Sequence, residues 1–352
     1  MTSIAEGGFW RGRRVLVTGH TGFKGAWLCA LLLRRGAILT GIALPPDTSP
    51  SLWALAPFAA EVEERIVDVR DREALAAAVL AARPQTIFHL AAQPLVRRGY
   101  AEPVETYAVN VMGTVHVLDA ARGCEALESL VVVTSDKVYA DEPRARGYPE
   151  DARLGGADPY AGSKAAAELA VETYRRAFFT AAGAPRIATA RAGNVIGGGD
   201  FAADRLLPDA YRAFAAGVPL VVRRPDAIRP WQHVLEPLHG YLRLAHALTA
   251  GDARSAAYNF GPHGAASVRE VAERFLRALG ARTEDAIAVE PAPEHETAVL
   301  AVDSARARAE LGWEPRWDTT TAIDAAAAWY HDFLGGAAVE RLVARDLDAY
   351  AV

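Results

Sequence analysis

Five residues in two short stretches carry side chains suited to moving protons and hydride. They are Ser135, Asp136 and Lys137 in Thr-Ser-Asp-Lys, and Tyr160 and Lys164 in Asp-Pro-Tyr-Ala-Gly-Ser-Lys. Tyr160 and Lys164 are four apart, so on a helix they share a face. A phenol that must release its proton needs a nearby cation, and an ammonium one turn away supplies it. Tyr160 could then take the proton of a sugar hydroxyl while hydride leaves the same carbon for a nicotinamide, with Ser135 hydrogen-bonding that oxygen. Plain alcohol oxidation needs only these three. Asp136 and Lys137 add a titratable pair, which suits loss of water beside a newly made ketone. The ketone acidifies the neighbouring C–H. Lys137 could remove that proton if desolvation lowers its pKa, and Asp136 could protonate the leaving hydroxyl if burial raises its own. The same spacings also fit a charged turn after a strand and an exposed Tyr–Lys helix face.

These residues need a scaffold, and the chain has one. Arg14 to Thr18 reads as a short buried strand, followed by Gly19, Gly22 and Gly25 at three-residue steps and an apolar helical run from Ala26 to Leu33. Glycines allow a tight turn and close approach of a ligand, and the N-terminus of the next helix seats a pyrophosphate. Strand, turn and helix together predict dinucleotide binding. A second strand, Ala37 to Ala43, runs into Leu44-Pro45-Pro46 without the acid that commonly holds the adenosine ribose; Asp47 comes late, which leaves NAD and NADP both open. Arg65 to Val69 is the third strand, and Asp68 at its end could accept from an adenine amino group or simply be solvated. Asp71 caps a helix over 72–82. Thr86 to Leu90 is the fourth strand, leading into the small residues Ala91 and Ala92. A long helix over 104–122 carries Asn110 midway. Leu130 to Val133 leads to Ser135, a helix runs from Tyr160 to about Phe179, and Ile187 to Arg191 is a sixth strand.

This alternation predicts an α/β fold with a doubly wound parallel (Rossmann) sheet and a smaller α/β substrate-binding lobe. The expected division is 1–190 for the nucleotide half, with a segment near 229–255 returning to it, and 191–352 mainly for the smaller lobe. At 352 residues and 51% hydrophobic content the chain can bury a large core. A net charge of −5 without a basic stripe argues against nucleic acid, and no apolar run is long enough for a bilayer. Met1 to Trp10 lacks the pattern of a secretory signal, and Cys29 and Cys124 lack metal-ligand spacing, so no metal site is expected. The expectation is a cytoplasmic protein.

At these residues the sequence resembles the extended short-chain dehydrogenase/reductases and, within them, the CDP-glucose 4,6-dehydratase family. The resemblance rests on Thr18–Gly25, Asn110, Thr134–Lys137, Asp158–Tyr160, Ala190–Asp200 and Arg229–Pro237, and it is loose over the last third. It implies NAD regenerated in each cycle: hydride leaves C4 of CDP-glucose, water is lost across C5 and C6, and hydride returns to C6. Relatives acting on dTDP-glucose carry Asp-Glu where this chain has Asp136-Lys137, which makes Lys137 the implied C5 base. By position, Gly19, Gly22, Phe23, Gly25, Asp68, Val69, Ala91 and Asn110, with Tyr160 and Lys164, would hold NAD. Arg191, Asn194, Arg229 and His233 would face the sugar nucleotide; for Arg229 a guanidinium fork suits a diphosphate. Ala161-Gly162 departs from the serines common in relatives. The resemblance also implies a homodimer or higher homo-oligomer through helices near 104–121 and 160–179. A nucleotide-sugar 4-epimerase shares Ser135, Tyr160 and Lys164, and a silent NAD-binding regulator would retain the turn; both stay open at this level.

Overall fold

A computed structural model of the chain describes residues 6–142, 147–282, 286–290 and 301–351; the first five residues of the N-terminal stretch read above lie outside it. Seven strands form one parallel sheet: β1 (Arg14–Thr18), β2 (Ile38–Ala43), β3 (Glu63–Ile66), β4 (Thr86–His89), β5 (Ser129–Val133), β6 (Arg186–Ala192) and β7 (Ala257–Phe260). Their order is β7-β6-β5-β4-β1-β2-β3, so the direction of winding reverses between β1 and β4. Ligands in open α/β sheets sit beyond the carboxyl ends of the strands at that reversal.

The apolar runs predicted as buried strands divide their side chains between two cores, because successive residues of a strand face opposite ways. Val15, Val17, Val131 and Val133 face one core, with helices α1 (Phe23–Arg34) and, later in the chain, Leu235–Ala250. Leu16, Leu130 and Val132 face the other, with α2 (Arg72–Ala82), α3 (Gly113–Arg122) and α4 (Pro159–Phe178). Asp71 and Asp158 start α2 and α4 by accepting from the N–H groups of Ala74 (3.0 Å) and Ala161 (2.9 Å). The second half adds α5 (Leu206–Ala216), α6 (Leu235–Ala250), α7 (Val268–Ala278), α8 (Thr319–Leu334), α9 (Val339–Ala349) and three two-stranded pairings.

Four differences from the sequence reading matter. The short strand at 257–260 is the edge of the main sheet beside β6, not part of the smaller lobe. β3 ends at Ile66, two residues before Asp68, because it pairs with β2 only as far as Ala43. The helix expected over 104–122 is interrupted: Pro103–Tyr107 leads into a π-helical stretch at Ala108–Met112 and then α3. Helix α9 is an addition to the elements read from the sequence.

Candidate active site

A cleft of about 710 Å³ opens over the carboxyl ends of the strands, bounded by the Rossmann half and the segments 192–209 and 220–231. Gly19 begins its floor with φ at +74°, and a Cβ there would lie 2.7 Å from the backbone nitrogen of Ala91. At Gly25 a Cβ would meet the Gly19 carbonyl at 2.1 Å, so β1 and α1 pack too closely for any side chain. Gly22 differs. Its φ is ordinary, and it precedes α1 with no side chain capping the first N–H groups. Those donors, at the positive end of the helix dipole, face the cleft and fit the pyrophosphate of a dinucleotide.

Phe23, Asp68, Val69 and Ala91 line the same side of the cleft. Asp68 is gripped by Arg70, whose Nε lies 3.0 and 2.9 Å from its two oxygens and whose Nη1 reaches Glu105 at 2.5 Å. That fork holds the Asp68 carboxyl below the usual range.

Ser135, Asp136 and Lys137 leave β5 in a single turn. The Ser135 hydroxyl accepts from the Lys137 N–H (3.2 Å) and donates to Asp136 Oδ1 (3.1 Å). Asp136 is 3% exposed, its Oδ2 is buried without a hydrogen bond, and burial pushes its carboxyl up against the pull of Lys137, Lys24 and Arg229. Lys137 is half-buried and lines the cleft. Tyr160 and Lys164 reach the same space from α4. Burial raises the Tyr160 phenol, while the Ser135 hydroxyl and Arg205 draw it down. Lys164 donates to the Val133 carbonyl (3.2 Å), and burial lowers its ammonium to about 8. All five chemistry-bearing residues therefore border one cavity.

Of the four residues expected on the substrate side, Asn194 and Arg229 line the cleft. Arg191 does not. It is buried in an ion pair, with Nε 2.9 Å from Glu168 Oε1 and Nη2 2.7 Å from Oε2, and Nη1 donates to Tyr139 and to the Glu150 carbonyl. Every direction of its fork is occupied. His233 also lies behind the cleft wall, fully buried between Trp317 (4.8 Å between centroids) and Trp27 (6.1 Å), and burial lowers it to about 3. Asn110, expected to hold cofactor, is buried in the π-helical stretch. It accepts from the Gln93 N–H (2.8 Å) and donates to the Gln93 carbonyl and Ser163 Oγ, tying α4 to the loop after β4.

Two further cations, Lys24 and Arg205, also line the cleft. Lys24 sits in the glycine turn, where burial, Arg205 and Lys164 lower its ammonium to about 8 and Asp136 opposes them. A cation at a helix N-terminus runs against the dipole, and that was a legible signal. Arg205 is tied to Asp200 (3.1 Å) and lines the cleft. Its contact with the site depends on the chain folding back at 200–205, which no local pattern announces.

The parallel sheet, the glycine turn and the Ser135, Tyr160 and Lys164 set define an extended short-chain dehydrogenase/reductase. The model of the GDP-mannose 4,6-dehydratase family matches residues 16–325, and the chain belongs to that family. It is 42% identical to the CDP-glucose 4,6-dehydratase of Salmonella typhimurium over 93% of either chain. It is 28% identical to the dTDP-glucose 4,6-dehydratase of Neisseria meningitidis serogroup B over 91% of this chain and 94% of that one. In fold it is similar to the dTDP-glucose 4,6-dehydratase of Bacillus anthracis in complex with NAD (TM-score 0.76, 22% identity, 91% of this chain and 99% of that one). It is also similar to the UDP-glucose-4-epimerase of Stenotrophomonas maltophila with bound NAD (TM-score 0.80, 23% identity, 92% and 100%).

Proposed function

We propose that the chain is an NAD-dependent CDP-glucose 4,6-dehydratase that forms CDP-4-dehydro-6-deoxyglucose. The observation that carries this reading is Asp136: a carboxyl buried beside Ser135, turned from water and pushed toward its protonated form, with Lys137 next to it on the cleft. A 4-epimerase moves hydride at one carbon only and has no use for such an acid. The Salmonella relative supports the cytidine nucleotide. Residues 1–190, with the segment around 229–260 returning to them, carry the cofactor, and the rest of 191–352 serves the sugar nucleotide.

When bound against Gly19, Gly22 and Gly25, NAD supplies the acceptor for hydride from C4 and the donor that returns it to C6. The protein's residues move the protons. Tyr160, drawn toward ionisation by Ser135 and Arg205 against its burial and sharing a helix face with Lys164, takes the C4 hydroxyl proton, and Ser135 holds that oxygen. Lys137 then removes the proton at C5, the C5–C6 double bond forms, and Asp136 gives its proton to the departing C6 hydroxyl, which leaves as water. Once C6 is reduced, Lys137 returns a proton to C5, and the proton that Tyr160 took from the C4 hydroxyl passes through solvent to Asp136, which restores both groups for the next cycle. Arg229 and Asn194 line the cleft, which supports roles for them on the diphosphate and the sugar.

Val104, Tyr107 and Met112, around the π-helical stretch, and Leu169 on the neighbouring α4 leave apolar side chains exposed, which supports a homodimer across these helices. Both cysteines are buried and unpaired, and among the described residues no helix is long and apolar enough to cross a membrane; this supports action in the cytoplasm. Incubation with CDP-, dTDP-, GDP- and UDP-hexoses, read by mass, tests the function. CDP-glucose should lose one water; a C4 epimer of unchanged mass would overturn the reading.

A further inference from the structure

Tyr241 is a buried phenol near the reacting residues that the chemistry above leaves unused. It stands on α6, its ring is fully buried and meets Phe260 edge-on at 5.6 Å, and its hydroxyl makes no hydrogen bond. Folded proteins rarely leave a buried hydroxyl in that state. Asp136 has the matching deficit: Oδ1 accepts from Ser135, while the buried Oδ2 accepts from nothing. Oδ2 is turned toward the end of β6, where a Cβ on Gly193 would lie 2.4 Å from it. Helix α6 packs across β5 and β6, the strands whose exits carry Asp136 and Gly193. Tyr241 lies within electrostatic reach of Asp136 and of Tyr160, and burial with those neighbours keeps its proton in place.

We propose that Tyr241 is a positioning residue for the elimination step: through one buried water its hydroxyl donates to Asp136 Oδ2 and sets the strength of that carboxyl as an acid. The proposal rests on the reading of Asp136 as the group that protonates the leaving hydroxyl. A water with these two partners extends the contact beyond direct hydrogen-bonding distance. A donor to the ionised carboxylate favours that form and so opposes burial. Without it Asp136 holds its proton more tightly and releases it more slowly. The other groups facing Asp136 are Lys137 beside it, Lys24 from α1, Arg229 from the 228–229 strand and the Tyr160 phenol from α4. None of them changes when Tyr241 loses its oxygen.

The test uses the full chain with NAD and CDP-glucose in single turnovers. C4 oxidation is followed by reduced-nicotinamide absorbance and water loss by quenched mass analysis, each across pH. Tyr241→Phe should leave C4 oxidation and KM unchanged, slow water loss about tenfold, and move the alkaline limb of water loss to higher pH. Fluorotyrosine at 241, a stronger donor with the fold kept, should move that limb to lower pH. Independently of turnover, the infrared band of the protonated carboxyl, assigned by difference against Asp136→Asn, should shift in Tyr241→Phe. An unmoved limb and band in variants of wild-type thermal midpoint, with water loss abolished in Asp136→Asn, overturn the proposal and leave the acid assigned. Water loss that survives in Asp136→Asn overturns the assignment of the acid, and the proposal with it.

Discussion

Lys164 is a cation held where burial disfavours charge. Its ammonium is lowered to about 8 against an ordinary value of 10.5, a difference corresponding to about 3 kcal/mol of destabilisation of the charged folded form. Between those two pH values the unfolded chain binds the proton that the folded chain has released. The penalty is therefore fully present below about pH 8 and fades as pH rises toward the ordinary lysine value. Lys164→Met removes the penalty and leaves the Val133 carbonyl without its donor, a loss of about 1 kcal/mol. The variant should be more stable than the native chain by about 2 kcal/mol near neutral pH, with the advantage shrinking in alkali, and C4 oxidation should fall by about a thousandfold. Chemical denaturation at several pH values measures the first, and single-turnover nicotinamide reduction the second. A variant less stable at neutral pH would show that the buried ammonium is compensated by contacts other than Val133 and Glu168.

Lys137 differs because it is half-buried at the cleft rather than sealed behind it. If it is the C5 base, Lys137→Met leaves the cofactor seat untouched and blocks proton removal. C4 oxidation should proceed, while exchange of the C5 hydrogen with deuterated solvent should fall about a hundredfold or more, read by NMR of recovered sugar. Exchange at the native rate would remove Lys137 from the mechanism.

Among the elements, α4 is fixed by a buried network as well as by apolar packing. Glu168 on α4 accepts from Arg191 on β6, from Thr189 (2.7 Å) and from Thr134 (2.5 Å). Both members of the ion pair are about 4% exposed. Removing one partner strands the other charge, so Arg191→Met should cost about 3–5 kcal/mol in denaturation. Because Arg191 does not face the cleft, the folded fraction should keep its KM for the sugar nucleotide; a large rise in KM with unchanged stability would return Arg191 to the substrate. The same residue shows where sequence reading fails. The unbroken apolar run from Leu130 to Val133 fixes a buried strand, and the glycines at 19 and 25 fix a turn, since both follow from local chemistry. Whether an arginine near the end of a strand turns toward a ligand or a glutamate depends on Glu168, 23 positions away and on another element. Asn110 and the π-helical stretch around it are hidden for the same reason: the sequence there reads as uninterrupted helix, and the partners that Asn110 meets, Gln93 and Ser163, lie on other segments of the chain. His233 sits in a stretch rich in polar residues, yet α9, more than a hundred positions later in the chain, and Trp317 close over it.

At the scale of the whole molecule, several of the exposed apolar side chains fall on neighbouring helices. Val104 is 83% exposed and Leu169 59%, on adjacent helices of the Rossmann half. Helix α4 carries Tyr160 and Lys164 on one side, and on the other nothing among the described residues covers Leu169. A second copy related by a twofold axis would meet each of these side chains with the same patch, so every substitution acts twice in the assembly. Burying a leucine contributes about 2 kcal/mol, and Leu169→Asp should therefore weaken self-association by about 4 kcal/mol, close to a thousandfold in Kd. Light scattering on a size-exclusion column should show a dimer for the native chain and a monomer for the variant at the same micromolar concentration. The five residues proposed to move protons line one cleft of a single chain, so the monomer should still oxidise C4. Its loss should appear as a lower thermal midpoint, because α4 then presents its apolar face to water. A native chain that elutes as a monomer, or a Leu169→Asp variant that stays dimeric, would place the association surface elsewhere on the molecule.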